Sequence, residues 1–257
     1  MKRITCLAIL FAMTMGISAQ TQTQVKMQIW KNGKPTNYVV STEIDSITFL
    51  EETITPKTVK GTKIWPIVLD GTSVDANASK IVADFRPDDV GRFLYIWENT
   101  YTANANPSGL NFYGNTDGYT ALTVSGGWSG CGFCLTETDV SKAWETADAL
   151  RADIVANPND YYLHLAIKST DNASHCFYVF GSEATKFVLG STPAYDGPVY
   201  ENFTRNGEWA EFDIPMSRFA TALATTTCVA GVNVLVTLSE GIVGAQLNLD
   251  AVYFYKK

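Results

Sequence analysis

The side chains in this sequence with the most to offer chemically are rings and amides. From Arg92 to Leu135 the chain reads RFLYIWENTYTANANPSGLNFYGNTDGYTALTVSGGWSGCGFCL, which sets Trp97, Tyr101, Tyr113, Tyr119 and Trp128 among asparagines and glycines. Flat rings stack on the apolar faces of neutral polar molecules, while Asn and Asp side chains bond their hydroxyls. Sugars fit that description. The rings expected to line a site are Trp97, Tyr101, Tyr113 and Trp128, with His164 as a polar partner farther along the chain.

Patterns for bond-breaking chemistry are weaker. Glu211 and Asp213 share one face of an expected strand, as in a sandwich hydrolase, but the second glutamate of that motif would fall near Pro215 or Met216 and is missing. Glycoside hydrolysis needs two carboxylates at a set separation, so a glycoside hydrolase is the alternative reading rather than the first. With two histidines and no nucleophile elbow, a Ser-His-Asp site has little to assemble from. The pair Cys131-Gly-Phe-Cys134 leads into a strand-like run rather than a helix N-terminus, and it has no second close Cys or His pair. Neither redox nor zinc chemistry is expected of it, and Cys131, Cys134, Cys176 and Cys228 are read as structural, in disulfides or as buried thiols.

Composition narrows the partners further. The formal net charge is -7 and no Lys or Arg block occurs, so nucleic acid is excluded as a partner. At 46% hydrophobic residues the chain can bury a real core. Met1-Lys2-Arg3, the apolar Leu7 to Met15 and Ile17-Ser18-Ala19 have the layout of a secretory leader ending at residue 19. The expectation is a secreted, periplasmic or surface protein with no transmembrane segment, and Cys6 is misplaced for lipidation.

These side chains need elements to position them. Val25, Met27 and Ile29 alternate with polar residues ahead of Asn32-Gly33, which predicts a small β-hairpin within residues 20–50. Residues 51–61 (EETITPKTVKG) read as a linker, and 62–257 as one larger domain. That domain shows strand-like runs at 80–85, 93–98, 119–125, 132–136, 161–169, 176–180, 186–189, 209–214, 232–238 and 246–255. Such spacing predicts an all-β fold, an antiparallel sandwich or jelly roll. One amphipathic helix interrupts it between Asp139 and Ala156, anchored by Trp144. In YYLHLAIKS the leucines and Ile167 face one way, leaving Tyr162, His164, Ala166 and Lys168 on the other. In RFLYIWEN either phase fits. Asn111, Asn115 and Asp117 read as turn formers, and Trp209 as packing.

The order LYIWENTY, FYGNTDGY, GGWSGCGF, YYLHLAIKS, NGEWAEFDIP and the closing GAQLNLDAVYFY resembles galactose-binding-like jelly rolls that serve as non-catalytic carbohydrate-binding modules. The segment ending in IDSITF resembles the short β element at the N-terminus of many exported Bacteroidetes proteins. The first resemblance implies a carbohydrate partner. It also makes Asp250 a candidate ligand of a structural calcium, with no other cofactor implied. A surface structural or adhesive protein that binds another protein is the third reading.

Overall fold

The computed structural model describes residues 25–31, 34–40, 57–68, 92–104, 109–116, 119–136, 140–226 and 232–257. The chain divides into two compact units, Met1–Ile54 and Thr55–Lys257. In the first, β1 (Val25–Lys31) and β2 (Lys34–Val40) pair antiparallel, with Lys31 opposite Lys34 across a two-residue connection. This is the hairpin that Asn32-Gly33 predicts.

The second unit is an all-β jelly-roll sandwich. Its strands are β3 (Lys63–Val68), β4 (Arg92–Ile96), β5 (Tyr101–Asn104), β6 (Thr120–Val124), β7 (Gly130–Thr136), β8 (Tyr161–Lys168) and β9 (His175–Val179). They continue with β10 (Phe187–Leu189), β11 (Val199–Glu201), β12 (Ala210–Pro215), β13 (Val232–Ser239) and β14 (Gln246–Lys256). Sheet I has the order β11-β10-β9-β13-β7-β4, and sheet II the order β12-β8-β14-β6-β5, with β3 paired to the other end of β14. The predicted strands agree with these to within a few residues. The run at 80–85 lies outside the described residues, while β3, β5 and β11 are additions, β5 and β11 being too short to leave a period in the sequence.

Alternation decides what each sheet buries. Leu163, Leu165 and Ile167 of β8 meet Phe133, Phe177, Val179 and Val236 of sheet I in one core. Phe180 stacks on Phe254 at 5.1 Å across the two layers. Each such side chain contributes about 2 kcal/mol by leaving water. In β4, Leu94 and Ile96 pack toward the core and Tyr95 is exposed, which settles the phase that the sequence leaves open.

Two features of sheet II prepare its outer face. A bulge in β14, with Ala251 at φ +50°, puts both Asp250 and Ala251 outside and returns Val252 to the core. The second feature corrects the linker reading. Residues 57–61 lie on this unit: Val59 is buried, the Lys60 N–H donates to the Tyr253 hydroxyl (3.0 Å), and Thr62 N donates to the Lys256 carbonyl (2.8 Å). Gly61 makes the passage possible, because at φ +85° a Cβ would meet the Lys256 carbonyl at 2.5 Å. The polar composition of the segment hid the one apolar side chain, Val59, that anchors it.

The predicted helix is present as α1 (Val140–Ala156), with Leu150 and Ile154 in the core; the side chain of Trp144 lies outside the described residues. A second, short helix, α2 (Ala220–Thr225), was not expected. Arg151 ties the two by donating to the Leu223 carbonyl at 3.0 Å.

Candidate functional site

The outer face of sheet II gathers a cluster of polar and aromatic groups. Reading across paired residues, β12 presents Glu211 and Asp213, β8 presents Tyr162, His164, Ala166 and Lys168, and β14 presents Gln246, Asn248, Asp250, Tyr253 and Tyr255. The chain itself covers the centre of this face. Residues 57–61 cross one side, and the loop 109–116 crosses the other.

At that centre lies a bonded polar group in which His164 and Asp250 are buried while Lys60, Glu211 and Asp213 stay partly exposed. His164 is 1% exposed, and its Nδ1 meets Asp213 Oδ1 at 2.9 Å. Lys60 Nζ reaches Asp213 Oδ2 at 2.8 Å and Glu211 Oε2 at 3.2 Å. Although partial burial of Asp213 works the other way, its hydrogen bonds to His164 and Lys60 hold the carboxyl down at about 2. Phe112 and Tyr253 flank the imidazole at 5.8 and 4.8 Å. Asp250, fully buried, accepts the Phe112 N–H on one oxygen (2.8 Å) and the Ala251 N–H on the other (2.7 Å). Asn111 shapes the same loop, its Oδ1 accepting from Tyr113 N and Asn115 N. That is the turn role expected of it.

Past the loop, toward the start of β14, the face opens. Trp209 precedes β12 and donates its Nε1–H to the Leu110 carbonyl (3.2 Å), fixing one ring edge. Tyr119 stands edge-on to it at 5.3 Å, and Phe112 at 6.5 Å. Lys168 lays its ammonium over both rings, 4.3 Å from Tyr119 and 4.5 Å from Trp209. Two depressions are built on the 206–209 turn. One, about 380 Å³, is lined by Trp209, Asn202, Asn206, Glu201, Glu208 and Glu211 among others. The other, about 140 Å³, is lined by Lys168, Ser169, Thr170, Gly207, Gln246 and Asn248. A half-buried indole between hydroxyl and amide groups offers stacking and hydrogen bonding together.

The residues singled out from sequence do not meet in one place. Tyr113 and His164 share the covered centre, both against Phe112. His164 does point away from the leucines of β8, yet it is enclosed rather than solvated, because residues 57–61 and 109–116 overlie that face. Tyr101 is a core residue, 4% exposed, whose hydroxyl donates to the Glu240 carbonyl. Trp97 belongs to sheet I: it folds back over Gly132, where a Cβ would meet its ring at 2.7 Å, and stands against Tyr95 at 5.6 Å. Trp128 is 64% exposed at the turn between β6 and β7, near another turn that carries exposed Ile242 and Val243. Asp117 lies outside the described residues.

Both oxygens of Asp250, the residue expected to hold calcium, accept backbone amides. Among the described residues no three His, Cys, Asp or Glu side chains gather as a metal site. Cys131, Cys134 and Cys176 are buried free thiols, and burial pushes Cys134 up to about 12 and Cys176 to about 11. Cys228 lies outside the described residues.

No protein-family model matches the chain, and no curated protein matches it. It is similar in fold to carbohydrate-binding modules. One is a family 30 module, at TM-score 0.33 and 11% identity, covering 64% of this chain and 77% of that one. Another is the family 11 module of a Clostridium thermocellum cellulosomal cellulase, at TM-score 0.32 and 11% identity, covering 65% and 88%. A third is the pair of modules, family 22 binding and family 10 catalytic, of a Clostridium thermocellum endo-1,4-β-D-xylanase complexed with xylohexaose, at TM-score 0.27 and 13% identity, covering 65% and 26%. No residue role passes to this chain from these structures.

Sequence reasoning missed Lys168, Gln246 and Asn248, and set Trp209 aside as packing. A signal was there. In β14, Gln246 and Asn248 alternate with Leu247 and Leu249, so both amides had to share an outer face.

Proposed function

We propose that this protein is an exported, non-catalytic glycan-binding module whose site is the open end of the outer face of sheet II. The observation that carries the reading is Trp209, whose indole N–H bonds the Leu110 carbonyl; it lines one depression with Asn202, Thr204 and Asn206 and lies under the ammonium of Lys168, a residue lining the other. Its ring supplies the stacking surface, while Asn206 on one side and Gln246 and Asn248 on the other supply bonds to sugar hydroxyls. The leader-like residues 1–19 support export, and among the described residues no helix is long and apolar enough to cross a membrane.

Catalysis on this face is disfavoured by its own charges. Glu211 and Asp213 share the Lys60 ammonium, and Asp213 is held ionised, whereas a glycosidase needs one carboxyl kept protonated as the general acid. A second reading places the glycan on Trp128, which among the described residues is the most exposed large ring, at 64%.

Binding of soluble oligo- and polysaccharides by the wild type, Asn248→Ala and Trp128→Ala tests the reading. Asn248→Ala should weaken binding about tenfold with an unchanged melting temperature, because a half-exposed amide adds bonds to ligand but little to the fold. Trp128→Ala should bind as the wild type does. The reverse pattern would move the site to Trp128, and release of reducing ends would make the protein a hydrolase.

A further inference from the structure

The two depressions beside the 206–209 turn differ in charge. The larger is lined by Glu201, Glu208 and Glu211; the smaller has Lys168 as its one charged lining residue, with no carboxylate in its wall. The basic groups with ion pairs among the described residues are Lys60, Arg151, His164, Lys186 and Lys256, and Lys168 is not one of them. Asp171, close by, is committed to the backbone: its two carboxylate oxygens accept from Ala173 N and Gln246 N. Lys57, Lys63, Arg205, Arg218 and Lys257 likewise have no ion pair among the described residues, but none of them lines this depression. The Lys168 ammonium is held over the rings of Tyr119 and Trp209 rather than free in solvent.

We propose that the Lys168 depression is a subsite for an acidic sugar unit, one whose carboxylate or sulfate pairs with the Lys168 ammonium while Thr170, Gln246 and Asn248 bond its hydroxyls. This rests on the glycan-binding reading and adds a charge to it. The acidic wall on the other side of Trp209 repels a second anion, so the acidic unit takes the Lys168 side and a neutral neighbour lies toward Glu208. The ligand is then a glycan with acidic units beside neutral ones, or an acidic chain gripped at one unit.

The test compares polygalacturonate, alginate and glucuronoxylan with their carboxyl-reduced forms, and a sulfated galactan with its desulfated form, by titration calorimetry at low and high salt. The wild type should bind at least one acidic chain about tenfold more tightly than its neutralised form, with the margin shrinking in salt. The chain that shows the margin tells carboxylate from sulfate. Lys168→Gln should erase the margin but keep residual binding, and Lys168→Arg should keep it, with both variants melting as the wild type does. Equal binding of acidic and neutralised chains by the wild type overturns the acidic subsite and leaves glycan binding standing. A margin that survives in Lys168→Gln also overturns it. Absence of binding to every chain, acidic or neutral, overturns the glycan reading itself.

Discussion

One face of sheet II contains two kinds of polar surface. At its centre, His164, Asp213, Lys60 and Asp250 bond one another or the backbone beneath residues 57–61 and 109–116. At its open end, Lys168, Gln246 and Asn248 line a depression, where Ser169 and Asp171 bond the Gln246 backbone and, among the described residues, the side chains of Lys168, Gln246 and Asn248 are not tied to one another. Polar groups already satisfied by their own chain have nothing left for a ligand, since leaving them unpaired costs more than pairing them gains. The centre therefore serves the fold, and the open end is the part to which the proposed function assigns binding.

The sharpest way to break this contrast is Asp250→Ala. It orphans two buried amides, Phe112 N and Ala251 N, and should lower stability by about 3 kcal/mol. Chemical denaturation measures it. A loss of glycan binding without any loss of stability would put Asp250 in the site instead of under it.

A smaller effect comes from pH. Asp213 is held at about 2 by His164 and Lys60, below its ordinary range. A depressed carboxylate contributes stability that is complete above its unfolded pKa and lost as pH falls through its folded one, so this part should disappear between about pH 4 and pH 2. Asp213→Asn should be less stable near neutrality and show a flatter acid limb in that window. An unchanged acid limb would mean that the charge network carries no stability.

The smallest effect belongs to the open end. Gln246→Ala should leave the melting temperature within about 1 °C of wild type and weaken glycan binding about threefold, as expected for an exposed amide at the edge of a depression. Differential scanning calorimetry and titration on one preparation check both halves. Marked destabilisation would erase the distinction between the two regions.

How much of this the sequence disclosed follows from which patterns are local. The alternation in YYLHLAIKS put His164 and Lys168 on an outer face without any structure, and Asp139 to Ala156 announced its helix by periodicity, while the same alternation in QLNLD went unread. Whether an outer face is open or covered depends on chain segments far away in sequence. Nothing near His164 in sequence reveals that residues 57–61 and 109–116 close over that face, so it read as a polar partner for a ligand. Tyr101 misled for a related reason: a tyrosine in an Asn-rich stretch looks available, yet its hydroxyl finds the Glu240 carbonyl inside the sandwich. Trp97 and Trp128 lie close in sequence to the loop that borders the site but leave it by joining sheet I and an exposed turn.

The central claim is that Trp209, not the more exposed Trp128, is the ring at the site. The most direct measurement follows the indole Nε1–H signals of the tryptophans by NMR during titration with a bound oligosaccharide. The Trp209 indole signal and the side-chain amides of Gln246 and Asn248 should shift together and saturate at one concentration, while those of Trp97 and Trp128 stay in place. Movement of the Trp128 or Trp97 indole with a stationary Trp209 would contradict the account.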